Sequence, residues 1–262
     1  MGAAVPLVTE QIVAEDIHGE TGLDGPYLPP AEFELDPRSA AQFIVDTVMA
    51  HEPNSVSLVP VGPFTNIALA MRLEPRIVDR VKSVVVMGGA YTRGNVTPGA
   101  EFNIYVDPEA AEAVFRAPWN VTMMGLDLTH QALATAELQE RVRAVGGPIS
   151  VSCWISGSSW AAPTGSSTNS TRRPCMMPAA SQPSSIPVRS RLPRRTCASN
   201  YGESGRGGMT VVNFLDAPGM HHSNGTALAQ TDYRTHVATA LEWERFADQV
   251  VDAVERLTVA LG

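Results

Sequence analysis

The sequence predicts an open, mainly parallel α/β sheet with flanking helices, and an incomplete one. Strand-like and helix-like segments alternate from Pro37 to Ala144. The strand-like ones are continuous apolar runs closed by Gly or Pro, the pattern of strands buried on both faces. Their spacing leaves a helix between successive strands, as a parallel sheet requires. The 262 residues, 44% hydrophobic and 18% charged, suit one domain of this kind.

Each element can be read from local chemistry. Asp36-Pro37 can open a helix, with Asp36 as N-cap and Pro37 in the first turn. Ala41, Phe43, Ile44, Thr47 and Val48 continue it as a helical stripe. Ser55 to Val61 reads as a strand ended by Gly62-Pro63. Thr65 to Arg72 reads as a short helix, and Ile77 to Val81 as a further helical turn. Val84-Val85-Val86-Met87 is a buried strand closed by Gly88-Gly89. Asp107-Pro108-Glu109 opens a helix through Phe115, and Val121 to Met124 is another buried strand. The last helix, Glu242 to Leu257, carries Trp243, Phe246, Val250, Val254 and Leu257 on one face.

Residues 151–200 interrupt this pattern. They hold no Asp, Glu or Lys, although the chain has 27 acidic residues, and they contain 12 serines, six arginines and six prolines. By composition alone the stretch is a disordered basic linker. All three cysteines, Cys153, Cys175 and Cys197, lie in it without metal-ligand spacing, and their odd number fits unpaired thiols. The net charge of −8 argues against nucleic acid or an anionic membrane as the main partner. No apolar run approaches the roughly 20 residues of a membrane span, and Met1-Gly2-Ala3 starts no signal peptide, so the expected location is cytoplasmic.

Several ordered motifs carry a family resemblance. They are Ile17-His18-Gly19-Glu20-Thr21-Gly22-Leu23-Asp24-Gly25, Val59 to Ala70 (VPVGPFTNIALA), Val86 to Tyr91, Gly94-Asn95, Glu101 to Ala110 (EFNIYVDPEA) and Gly125 to His130. Long, ordered and correctly spaced over residues 1–150, they resemble the inosine–uridine-preferring nucleoside hydrolases. The resemblance implies hydrolysis of a purine or pyrimidine ribonucleoside to ribose and free base, as in base salvage. That reaction builds oxocarbenium-like charge on the sugar and calls for anionic and hydrogen-bonding groups around it. A calcium ion with oxygen ligands grips the ribose hydroxyls and activates water in this family. Carried over by position, Asn95, Glu101 and Asn103 would bind ribose, with Met87 and Phe102 lining the pocket. The main-chain carbonyl of Val61 would be a calcium ligand, and His18 would sit on a loop closing over the base. Family members are commonly homodimers or homotetramers.

Plainer roles stand beside these. Asn95 and Glu101 also read as polar loop residues, Met87 as strand core, and His18 as a surface histidine. Asp127 and His130 read as scaffold following a strand, because the resemblance gives them no chemical role.

Two parts of the family's site are missing from the sequence. The Asp-x-Asp-x-Gly-x-Asp-Asp turn, which supplies the base and most calcium carboxylates, occurs nowhere in it. The chain begins about two βα units into the family pattern, so roughly 60 residues and their strands are expected to be absent. The His-Asp-Pro-Cys motif, with the proposed acid, is also missing, and no catalytic residue is assigned. Codon logic suggests its fate. Methionine has a single codon, so Cys175-Met176-Met177-Pro178 read one nucleotide upstream becomes His or Tyr, then Asp, then Ala. The next residue, from Ala179, becomes Cys, Ser, Arg or Gly. Residues 151–200 are thus expected to be out of frame, disordered or misfolded, between compensating indels near Ile149 and Asn200. Family text returns from about Tyr201, through Gly207 to Val212 and Thr235 to Ala238.

Three readings compete. One is a hydrolase by descent, inactive or impaired as this chain. Another is a remnant that holds ribose or nucleoside without cutting it. The third is a Ser/Arg-rich arm for RNA or a protein partner, against which the acidity and the codon pattern weigh.

Overall fold

A computed structural model describes residues 1–15, 34–147, 150, 188–191, 198–200, 207–212 and 235–261, with backbone only for 188–191 and 198–200. In chain order its elements are α1 (Ala40–Ala50), β1 (Ser57–Leu58), α2 (Thr65–Leu73), α3 (Ile77–Arg80), β2 (Ser83–Met87), α4 (Phe102–Val106), α5 (Pro108–Arg116), β3 (Val121–Met124), α6 (Leu126–Thr129), α7 (Ala136–Val145), β4 (Val188–Arg191), β5 (Ala198–Asn200), β6 (Met209–Val211), β7 (Thr235–Leu241) and α8 (Trp243–Leu261). The main sheet has the order β1-β2-β3-β7-β4, and β5 pairs with β6 in a second, antiparallel sheet. β1, β2, β3 and β7 are mutually parallel.

The apolar run of β2 explains its central place. Val84, Val85, Val86 and Met87 are all buried, in register with Val121 to Met124 of β3. Around them pack Phe64, Ile77, Ile104 and Met123, each fully buried, with Phe64 and Phe115 edge to face at 6.1 Å. Arg80 closes the end of α1. Its Nη2 donates to the carbonyls of His51 (2.6 Å) and Met49 (3.3 Å), and Nε donates to that of Val48 (3.4 Å), satisfying acceptors that a helix end leaves open.

Three expectations are corrected. α1 is capped by Ser39, whose Oγ accepts from Gln42 N, rather than by Asp36. Asp36 instead accepts from Arg38 N and forks onto the Arg38 guanidinium, a local turn that delays the helix beyond Pro37. The strand expected over 55–61 pairs regularly only at Ser57–Leu58. Single bonds continue on either side, Lys82 N to Val56 O and Met87 N to Pro60 O, and Pro60 has no N–H to extend the ladder. The last helix runs from Trp243 to Leu261, and Leu257 is 49% exposed rather than part of the buried face.

The chain divides into two compact units. One comprises Met1–Gln11, Leu35–Asp127 and Arg189–Thr239; the other comprises Ile12–Glu34, Leu128–Val188 and Ala240–Gly262. In the second, α8 lays Ala247, Val251 and Val254 against Leu138 and Val142 of α7. Phe246 packs on Ala132. No helix among the described residues is long and apolar enough to cross a membrane. Most of 151–200, including the three cysteines, lies outside the described residues, as does His18.

Candidate functional site

In parallel α/β sheets, ligands bind beyond the carboxyl ends of the strands. Here β2 ends at Met87 and runs into Gly88-Gly89, while Val61 lies three residues past the end of β1. Gly89 has φ +80°, a conformation that favours glycine, and a side chain there would meet Thr210 Oγ1 at 2.8 Å. After Gly89 the chain makes a loop closed on itself. Gly94 N donates to Pro98 O, Asn95 N and Val96 N both donate to Ala100 O, and Thr97 Oγ1 accepts from Ala100 N. Gly94 is needed for that closure, because a Cβ would stand 2.2 Å from the Ala100 carbonyl oxygen.

The loop delivers Glu101, which is 2% exposed and is the N-cap of α4. Its Oε2 accepts from three main-chain N–H groups, of Gly89 (3.0 Å), Asn103 (3.0 Å) and Ile104 (3.3 Å). None of the described hydrogen bonds ends on Oε1. Burial pushes the Glu101 carboxyl above its ordinary range, while the three N–H groups act in the opposite direction.

Asn103, two residues on, turns its amide the other way. Its Nδ2 donates to Met87 O (2.9 Å) and approaches Met87 Sδ (3.2 Å) and Val61 O (3.4 Å). The Nδ2 side is therefore engaged with protein, and Oδ1 is the amide's remaining acceptor. Asn95, exposed on the loop, accepts from Phe102 N through Oδ1 (2.9 Å), which leaves its Nδ2 as the remaining donor.

Of the residues singled out in the sequence, the structure brings Met87, Glu101, Asn103 and the Val61 carbonyl into one connected cluster. Asn95 joins it through the Phe102 backbone, and the Phe102 side chain is half-buried. Asn103 links the Glu101 carboxylate, through its main-chain N–H, to the Met87 carbonyl and thioether, through Nδ2.

One scaffold role was not visible from spacing, and Asp127, expected as scaffold, takes a defined place. Asp107, read only as a helix start, does cap α5 through Ala110 N, but it is also fully buried. It accepts from Thr65 Oγ1 (2.5 Å) and Leu7 N (3.0 Å), partners far off in sequence. Asp127 accepts from Tyr91 N and from the Thr92 hydroxyl.

The same donor set makes no calcium cage. Calcium takes six to eight oxygen ligands, several of them carboxylate. Among the described residues no group of three or more His, Cys, Asp or Glu could hold a metal ion. The Val61 carbonyl already faces the Asn103 amide nitrogen, and Oε2 of Glu101 is engaged by three peptide groups. The described residues do not fit the ion.

The model of the inosine-uridine preferring nucleoside hydrolase family matches residues 1–248. The chain belongs to this family. Over 147 residues this nucleoside hydrolase family member is 60% identical to the inosine-uridine preferring nucleoside hydrolase of Leishmania major, a match covering 55% of this chain and 46% of that one. Over 147 residues it is 50% identical to the pyrimidine-specific ribonucleoside hydrolase RihB of Escherichia coli, covering 56% of this chain and 47% of that one. These matches span about half the length of the curated relatives. Among solved structures, the plant nucleoside hydrolase PpNRh1 superposes with a TM-score of 0.79 at 24% identity, over 97% of this chain and 79% of that one. A purine-preferring ribonucleoside hydrolase from Gardnerella vaginalis gives 0.76 at 25% identity, over 98% and 79%. The parallel sheet with flanking helices is thus the open α/β fold of the nucleoside hydrolases.

Proposed function

We propose that this chain is a ribonucleoside N-ribohydrolase by descent which, as the present polypeptide, holds the ribose of a nucleoside without cutting its N-glycosidic bond. The observation that carries the reading is the hydrogen-bonding capacity that the described bonds leave on three side chains. Glu101 Oε1 and Asn103 Oδ1 remain as acceptors, and Asn95 Nδ2 remains as a donor. A ribosyl group, with several hydroxyls that each donate and accept, complements that set. The relatives are named for inosine-uridine, pyrimidine and purine preferences, so ribose is the part of the ligand they share. Met87 and Phe102 would line the ribose pocket, and His18 would close over the base.

The chemistry sets the limit of this reading. A carboxylate beside the sugar would stabilise positive charge developing at C1′. Cleavage also needs a base to activate water and an acid for the leaving base, and neither the Asp-rich turn nor the His-Asp pair of the family occurs in this sequence. When bound, calcium would orient the ribose hydroxyls and acidify the attacking water. It would need carboxylates beyond the described residues. We propose with it a cytoplasmic, base-salvage setting and assembly into dimers or tetramers.

The test is to incubate the purified chain with inosine or uridine, with and without calcium, and to measure free ribose. The expected outcome is saturable binding with no ribose above the uncatalysed background in either condition. Turnover would overturn the claim that this polypeptide only holds its ligand.

A further inference from the structure

Main-chain and side-chain hydrogen bonds join the segment leaving β2 to the segment leaving β3. Gly88 N donates to Met124 O (3.3 Å) and Leu126 N donates to Gly89 O (2.9 Å). Tyr91 N donates to Asp127 Oδ2 (2.8 Å), and the Thr92 hydroxyl donates to Asp127 Oδ1. The first two are main-chain bonds that other side chains would leave in place. The last two rest on one carboxylate with a donor on each oxygen.

The position of Thr92 at the root of the site loop gives that carboxylate its significance. Gly94 begins the closed loop, Asn95 stands on it, and Ala100 returns the chain to Glu101. The far limb is fixed by Gly89 N on Glu101 Oε2. Beyond Gly89 the near limb is held by Asp127 and by the Tyr91 ring, which packs against the core. Burial, with the Asp127 charge adding to it, also pushes the Tyr91 phenol above its ordinary value.

We infer that Asp127 is a positioning residue: by holding Tyr91 and Thr92 it fixes the near limb of the 91–101 segment and so sets where Asn95 and Glu101 stand for the ribose. The inference rests on the proposal that Asn95 and Glu101 contact that sugar. It gives Asp127 a role beyond general scaffold. The chemistry also distinguishes substitutions. Asparagine can accept from Tyr91 N through Oδ1 and donate to the Thr92 hydroxyl, which accepts as readily as it donates. Alanine can do neither.

The experiment uses the full chain in four forms, wild type, Asp127→Ala, Asp127→Asn and Thr92→Val, and two readouts. Amide hydrogen exchange at Asn95 and Val96 reports whether the loop is held. Calorimetry with inosine reports whether the held loop matters for binding. In Asp127→Ala, exchange at Asn95 and Val96 is expected to quicken about tenfold while the β2 amides stay protected, and inosine affinity is expected to fall about tenfold. Asp127→Asn should restore both to within about threefold, and Thr92→Val should fall between. If Asp127→Ala fails to fold, Thr92→Val alone carries the test.

Unchanged exchange at Asn95 and Val96 in the alanine or valine variant would overturn the inference. So would a variant whose melting temperature falls while its inosine affinity holds, since that is a merely structural role. Asn95→Ala and Glu101→Gln are measured alongside. If these bind inosine like wild type, the ribose assignment fails, and the Asp127 inference fails as a statement about binding even where exchange shows the loop loosened.

Discussion

The carboxyl end of β2 and the α7–α8 helix pair are both well buried, but they are held by different forces. Around β2 the buried set includes Glu101, Asn103, Asp107 and Thr65, and each is bonded to groups fixed by the fold. In the helix pair the buried apolar set is Leu138, Val142, Ala247, Val251 and Val254, and the ion pair Arg141–Asp248 lies toward solvent. Beside that set the buried Ser150 closes the end of α7 on the Val142 carbonyl. Burying polar groups gains little net stability even when they are fully bonded, whereas burying apolar side chains gains about 25 cal/mol for each Å² removed from water. The helix pair is held mainly by apolar packing. The end of β2 carries bonded polar groups, Glu101 and Asn103 among them, that apolar packing does not require.

That contrast can be broken from either side. The largest effect belongs to the helical unit: Phe246→Ala removes a ring that is 1% exposed and should lower stability by about 4 kcal/mol in urea unfolding. Inosine affinity of the protein that remains folded should not change. A matching loss of affinity would mean that the two regions are not separable in this way.

Glu101→Gln should act the other way round. Burial raises the Glu101 carboxyl above its ordinary 4.5, so the folded state holds this proton more tightly than the unfolded chain does. The stability it contributes is complete below about 4.5 and is lost as pH rises through the raised folded value. Glutamine stands for the neutral form at every pH. Denaturation from pH 4 to 8 should therefore show the wild type losing stability relative to Glu101→Gln as pH rises, while the variant's inosine affinity falls about tenfold. A variant less stable than wild type near neutrality would show that the three N–H bonds outweigh burial.

The smallest effect is expected at the rim of the helix pair. Arg141→Ala removes an exposed ion pair with Asp248, and such pairs contribute little. Thermal melting should show no measurable change.

The same division separates features legible in the sequence from those that were not. The apolar run Val84 to Met87 closed by Gly88-Gly89, and the Asp107-Pro108 helix start, are local signals, and both elements formed where expected. The α1 cap was misplaced because Asp36 had a nearer partner in Arg38. Leu257 fits the helical stripe, yet α8 reaches beyond the residues that cover it, and periodicity cannot report where a partner helix stops. α4 is five residues long and too short to show a period, so its capping residue reads in the sequence as a ligand contact or a polar loop residue. In the structure Glu101 combines an N-cap with a second carboxylate oxygen on which none of the described hydrogen bonds ends, and local text does not show that pairing. The Asp127 bonds join residues 35 and 36 apart, and the third acceptor role of Asp107 reaches back to Leu7, 100 residues away. Such contacts exist only once the sheet has formed.

The proposal that a ribose-holding half of a hydrolase site persists in this polypeptide, without the groups that cleave, stands or falls on one titration. Inosine is titrated by calorimetry into wild type and Glu101→Gln, with free ribose assayed in the same cell. Saturable binding to wild type is expected, with about tenfold weaker binding to the variant and no ribose released. Equal binding by the two proteins, or ribose released by the wild type, would contradict it.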